Sequence, residues 1–214
     1  MIKLKSIVKE FKFILKGVIM KTIVCYGDSN TYGYKPYHKR YNKAYPEILE
    51  SILGEKYRVY NEGLNGRTSI YNDPDSNRIG INNVEETLIK YHHIDYLVFM
   101  LGTNDLKVGN AKNIDDMYKG LDMILTKISK LGIVDHFVFV SPIKVGEALD
   151  KNASELSLHF YEVYEKLAKK YKPDYLIDAK ELISPSFDNC HFKEEDHYVL
   201  AEELAKYFKI NNID

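Results

Sequence analysis

The chain has 214 residues, 45% hydrophobic and 29% charged, values that fit one ordinary folded domain and exclude global disorder. Thirty Lys and Arg against 31 Asp and Glu leave a net charge of −1, so there is no electrostatic footprint for nucleic acid. No unbroken apolar run approaches the roughly 18 residues of a membrane span, and two cysteines 165 positions apart make neither a disulfide framework nor a four-ligand zinc site.

Residues 1–20 stand apart. Lys3, Lys5, Lys9, Lys12 and Lys16 against Glu10 give this piece +4 and leave −5 on the rest. Ile7, Phe11, Ile14, Leu15 and Val18 recur at helical spacing, so the segment is read as an amphipathic N-terminal extension. Lys12 and Lys16 interrupt the continuous stretch a secretory signal needs, and the chain is read as cytoplasmic. Membrane contact through this extension is the lesser reading, and a homo-oligomer formed through its free face is left open. The main domain is expected over 21–214.

From there, short apolar runs alternate with amphipathic ones. Thr22–Tyr26, Tyr57–Tyr60, Tyr96–Leu101, Phe137–Val140 and Tyr175–Ile177 read as five strands whose continuous hydrophobicity suits a parallel sheet covered on both faces. Helical patterns cover about 44–53 and 81–91. A stronger stripe runs from Ile114 to Leu131, capped by Asn113. Another runs from Leu156 through Phe160, Val163 and Leu167 to Tyr171, and a last one is marked by Leu200, Leu204 and Phe208. Strand–helix alternation predicts an α/β fold, a three-layer α/β/α sandwich.

In such sheets ligands bind beyond the carboxyl ends of the strands. Gly27-Asp28-Ser29-Asn30 follows the first strand, and Asn61 to Thr68 follows the second. Gly102-Thr103-Asn104-Asp105 follows the third, and Asp188-Asn189-Cys190-His191 lies between the fifth strand and the last helix. Four distant segments would thus bring a hydroxyl, glycine amides, a carboxamide, a carboxylate and an imidazole to one edge.

That inventory is what acyl transfer through a serine requires. Ser29 needs a base, and His191 can be it. Asp188 can fix the imidazole tautomer and stabilise the imidazolium. The Ser29 N–H, the Gly66 N–H and the Asn104 amide are candidate donors to an oxyanion. Acylation would then rise with pH through the ordinary histidine range, about 6.5 in model peptides.

With these blocks the sequence resembles the GDSL-type esterases, or SGNH hydrolases. Gly27-Asp28-Ser29, Gly66, Gly102-Thr103-Asn104-Asp105 and Asp188-x-x-His191 match four of the family's blocks in order. Gly63 to Thr68 and Leu101 to Asp105 look most like the arylesterase and acyltransferase branch. The resemblance implies a flavodoxin-like fold with a five-stranded parallel sheet and hydrolysis of carboxylic esters without metal or cofactor. It implies Ser29 as nucleophile, His191 as base, Asp188 as orienter, and Ser29, Gly66 and Asn104 as oxyanion donors. The partner is a small-molecule ester, and the same site could pass the acyl group to an alcohol.

Around this set, Asp28, Asn65, Arg67, Tyr32 and Tyr34 are taken as substrate-binding, with Arg67 equally readable as the holder of its loop. Tyr32, Tyr34 and Tyr37 suggest a narrow aromatic entrance, hence short acyl groups such as acetyl. Two letters depart from the family pattern: Asn30 replaces the leucine of the motif's name, and Asn189-Cys190 stands where a glycine often follows the aspartate. Asp105 is read as a structural cap, Cys25 as buried packing, His92 and His93 as solvated, and His197 as part of an acidic helix face. The rival readings are a non-catalytic module binding an acyl group or carbohydrate, and a nucleotide or flavin binder using residues 27–33. The second leaves the Asp-x-x-His segment unexplained.

Overall fold

Each of the five apolar runs forms a strand, and all five strands join one parallel sheet. In a computed structural model that describes residues 20–37, 39–73, 76–107 and 110–210, these are β1 (Lys21–Gly27), β2 (Tyr57–Gly63), β3 (Ile94–Met100), β4 (Val134–Ser141) and β5 (Tyr175–Asp178). Their order is β2-β1-β3-β4-β5, with Gly27 opposite both Gly63 and Met100. This is the flavodoxin-like order, and its switch point lies between β1 and β3. The expected extension at 1–20 falls, Met20 apart, outside the described residues.

The chain leaves β1 toward β2 on one side and returns to β3 on the other, so the crossover helices must cover both faces. Helices α2 (Tyr45–Leu53) and α7 (Glu194–Ile210) pack on one face around Ile48, Leu49, Tyr96, Leu200 and Leu204. Helices α3 (Gly80–Ile89), α4 (Ile114–Lys130) and α6 (Phe160–Tyr171) pack on the other around Val84, Leu97, Leu121, Phe139 and Val163. Asn113 caps α4 as expected, its side chain accepting from Asp116 N–H. No helix among the described residues is long and apolar enough to cross a membrane.

One expected helix is two. The stripe from Leu156 to Tyr171 breaks into α5 (Lys151–Ser157) and α6. The Ser157 hydroxyl donates to Ser154 C=O and accepts from Val145 N–H, a local bond that competes with continuation of the helix. The chain then turns at His159 and restarts.

His197 corrects a second expectation. It is 0% exposed, not on a solvated face; Nδ1 accepts from Tyr45 N–H at 3.3 Å, joining α7 to the start of α2. Its Nε2 is buried without a partner. Burial, the dominant influence, lowers its pKa to about 4, with Glu47 opposing and Arg40 assisting. The unfolded chain therefore takes up a proton between about pH 6.5 and 4 that the folded chain refuses. The stability His197 contributes as a neutral group is complete above pH 6.5 and is lost as pH falls through that window. The penalty should reach about 3 kcal/mol at most. Urea unfolding at pH 7 and 4.5 should show a steeper loss in the wild type than in His197→Asn, whose side-chain oxygen can still accept from Tyr45. Equal losses would contradict the assignment.

His93 is exposed, in keeping with its reading as solvated. Its Nε2 lies 3.4 Å from an Asp135 oxygen and 3.8 Å from an Asp95 oxygen. This exposed cluster sits at the amino ends of β3 and β4, the far side of the sheet from the four blocks.

Candidate active site

The nucleophile turn is built by close approach. Gly27 ends β1 where a Cβ would lie 2.1 Å from the Thr31 hydroxyl and 2.5 Å from Met100 C=O. Only glycine lets the chain fold sharply there into the one-turn helix α1 (Ser29–Tyr32). The Asp28 side chain accepts from Asn30 N–H at 3.0 Å, so Asp28 is the cap of this turn. It is buried, and burial raises its pKa, against which Asn30 N–H, His191, Thr103 and Arg67 act.

Ser29 Oγ lies 2.9 Å from His191 Nε2, and His191 Nδ1 lies 2.7 Å from Asp188 Oδ2. Residues from the two ends of the domain thus form one hydrogen-bonded chain. The other Asp188 oxygen accepts from the Ser186 hydroxyl at 2.8 Å, His191 N–H at 3.0 Å and Cys190 N–H at 3.1 Å. Burial alone would raise the Asp188 pKa. The bonds from His191, Ser186 and Cys190 outweigh it and hold the carboxyl below its ordinary value. The group is an anion fixed in place, able to stabilise a positive imidazole.

The segment after β2 is a tight turn. Arg67 N–H donates to Leu64 C=O at 3.0 Å, and Gly66, third of the four residues, has φ +80. A type II turn requires that left-handed position. Leu64 N–H ties it to Gly27 C=O at 3.1 Å, and Ser69 N–H donates to Asp105 Oδ1 at 2.7 Å. Asp105 thus caps across blocks, joining the segment after β3 to that after β2. Burial drives its pKa up to about 7.

After β3, the turn Thr103–Leu106 carries Asn104. Its Nδ2 is buried and makes no hydrogen bond within the protein. A donor withdrawn from solvent without an acceptor costs free energy unless a bound group completes it. The Asn65 side-chain oxygen is in the same condition.

The other expected contact residues separate. Tyr34 packs its ring on His191, centroids 4.6 Å apart. Tyr32 instead lies under the Arg40 guanidinium. Tyr37 is 88% exposed and stacks on Phe187. Arg67 is 3% exposed; it donates to Gly27 C=O at 2.8 Å and to Glu62 C=O, and lies over the Tyr26 ring. Its guanidinium is committed to the carbonyl ends of β1 and β2, as a holder of its loop and away from solvent anions. Cys25 and Cys190 are both free thiols, and burial pushes Cys190 up to about 12, so it remains protonated at neutral pH.

The second departure from the family pattern has a backbone reason. Asn189 has φ +63, the left-handed region where asparagine is the best-tolerated residue after glycine. Asn189→Gly should therefore leave the melting temperature and kcat near wild type. Asn189→Val should lower both, because a β-branched residue resists this conformation. A valine variant with unchanged Tm and kcat would contradict this. Sequence reading missed Ser186 and the cross-tie of Asp105. The Ser-x-Asp spacing at 186–188 is a turn signature that could have revealed the first.

Comparison with known proteins agrees with this fold. The model of the GDSL-like lipase/acylhydrolase family matches residues 25–197. A carbohydrate acetylesterase family member from Sinorhizobium meliloti is 26% identical, with 89% of this chain and 98% of that one covered and a TM-score of 0.80. The M. smegmatis aryl esterase is 25% identical, with 89% and 99% covered and a TM-score of 0.80. A further solved structure reaches 30% identity and a TM-score of 0.83 over 89% of this chain and 98% of that one. No curated protein matches the chain.

Proposed function

Since this chain belongs to the GDSL-like lipase/acylhydrolase family and is a carboxylic ester hydrolase acting on small-molecule esters, we propose that it cleaves short-acyl esters through an acyl-enzyme on Ser29. The observation that carries this reading is the continuous chain from Ser29 Oγ through His191 to Asp188, with contacts of 2.9 and 2.7 Å. His191 Nε2 takes the Ser29 proton as Oγ attacks the ester carbonyl, and Asp188 holds Nδ1 protonated and oriented. The imidazolium then gives its proton to the leaving alkoxide, which departs as the alcohol. Water, deprotonated by the same ring, attacks the acyl-enzyme; the Oγ–acyl bond breaks, the ring returns the proton to Ser29 Oγ, and the acid leaves.

The oxyanion is assigned to the Ser29 and Gly66 N–H groups and the Asn104 amide, whose buried unpartnered donor supports this. Tyr34 beside His191 narrows the approach to the reacting atoms, which supports a small acyl group. The acetylesterase among the similar structures points the same way. An alcohol that reaches the acyl-enzyme before water would be acylated by the reverse of the first step. The catalytic domain is assigned to 21–214, and residues 1–20 to an appended segment. Asp28, Tyr32 and Arg67 are assigned to holding the site, and Asn65 and Tyr34 to facing substrate.

A series of p-nitrophenyl esters tests the reading. Acetate and propionate should give the highest kcat/KM, with a decline beyond butyrate. Added methanol should divert part of the acyl group to its ester. A maximum at long acyl chains would overturn the short-acyl assignment. An absence of methyl ester at any methanol concentration would remove the transfer reaction.

A further inference from the structure

Asn30 is the residue after Ser29 and is 3% exposed. Its side chain crosses to the other catalytic segment, 160 positions away. Nδ2 donates to Cys190 C=O at 3.2 Å, and Oδ1 accepts from Phe192 N–H at 2.9 Å. These are the backbone groups immediately before and after His191. One carboxamide therefore grips both flanks of the residue whose ring meets Ser29 Oγ. Covalent attachment of Asn30 to Ser29 closes the circuit: the Ser29–His191 contact and the Asn30 bonds join the same two short segments.

The amide suits this place chemically. It supplies a donor and an acceptor on one planar group, and the two backbone groups present one acceptor and one donor. Phe192 is 0% exposed, so its N–H has no easy recourse to water. On its opposite side the His191 segment is held through Asp188 Oδ1 to Cys190 and His191 N–H, and through Gly146 N–H to Asn189 C=O at 2.8 Å. Those bonds fix the segment internally and to the loop after β4. The Asn30 pair fixes it to the nucleophile turn.

We propose that Asn30 is a positioning residue for the reaction: its carboxamide sets the approach of the His191 ring to Ser29. The inference rests on Ser29 as nucleophile and His191 as its base. A displacement of about 1 Å between reacting groups costs on the order of 100-fold in rate. Asn30→Leu removes both bonds, and Asn30→Asp keeps the acceptor for Phe192 N–H but removes the donor to Cys190.

The test measures kcat and KM for p-nitrophenyl acetate on the folded fraction of each variant, beside Ser29→Ala. Low-field proton spectra of the His191 Nδ1–H accompany them. Asn30→Leu should lower kcat about 10- to 100-fold with KM within about threefold of wild type, and Asn30→Asp should fall between. The low-field resonance should shift or broaden in both. If Asn30→Leu does not fold, Asn30→Asp decides alone, by the same split and the same resonance. A kcat within about twofold of wild type in the folded variants, with the resonance unmoved, would overturn the inference while Ser29→Ala stayed inactive. Activity retained in Ser29→Ala would instead overturn the roles on which it rests.

Discussion

Ser29→Ala is expected to lower kcat by about 10⁴- to 10⁶-fold while KM changes little. The alanine removes one oxygen and leaves untouched the backbone, Asp28 and Asn30 bonds that hold the turn, so the fold should persist and melt within a few degrees of wild type. What is lost is the only step that makes a covalent intermediate. His191 and Asp188 remain paired but have no hydroxyl to deprotonate. Groups that act as one unit fail together. The double variant Ser29→Ala with His191→Ala should therefore be scarcely slower than either single variant. Additive losses in the double variant would show that the two residues act independently, which a serine deprotonated by His191 does not allow.

Asn104→Ala should cost about 100- to 1,000-fold in kcat, equivalent to about 2.7–4 kcal/mol of transition-state stabilisation. The effect on stability separates this role from a structural one. Asn104 Nδ2 is buried and bonds to nothing in the protein, so deleting it breaks no native bond and relieves an unmet donor. The variant should melt no lower than wild type, because removing an unsatisfied buried group is neutral or favourable. The bonds that Asn104 C=O accepts from Lys107 N–H and from Asn110 Nδ2 are untouched. A lowered melting temperature with kcat near wild type would identify Asn104 as a structural residue instead.

The fold was legible because its signals are local. A strand buried on both faces must be apolar throughout, and Tyr96 to Met100 reads that way; the edge strand β2, expected to be covered on both faces as well, instead alternates buried and exposed residues over Tyr57 to Tyr60. The positions of the four blocks followed from where strands end. The α5–α6 break was not legible, because Leu156 and Phe160 keep helical spacing across it and its cause is a hydroxyl bonded to Val145. The same limit explains Arg67, His197 and Asn30. Charge or polarity made His197 look like surface and Asn30 like a neutral variation, and left Arg67 equally readable as a substrate contact or the holder of its loop. Each is buried by partners 40, 152 or 160 and more positions away, which no spacing rule reaches. Asn189 was visible only as a departure, and its backbone conformation gives the departure a reason.

Labelling with an organophosphonate ester, followed by peptide mass spectrometry, addresses the nucleophile itself. A Ser29 acyl-enzyme mechanism predicts one equivalent of adduct on the peptide containing Ser29, loss of esterase activity in step with labelling, and no adduct in Ser29→Ala. An adduct on any other residue, or esterase activity that survives stoichiometric labelling of Ser29, would contradict it.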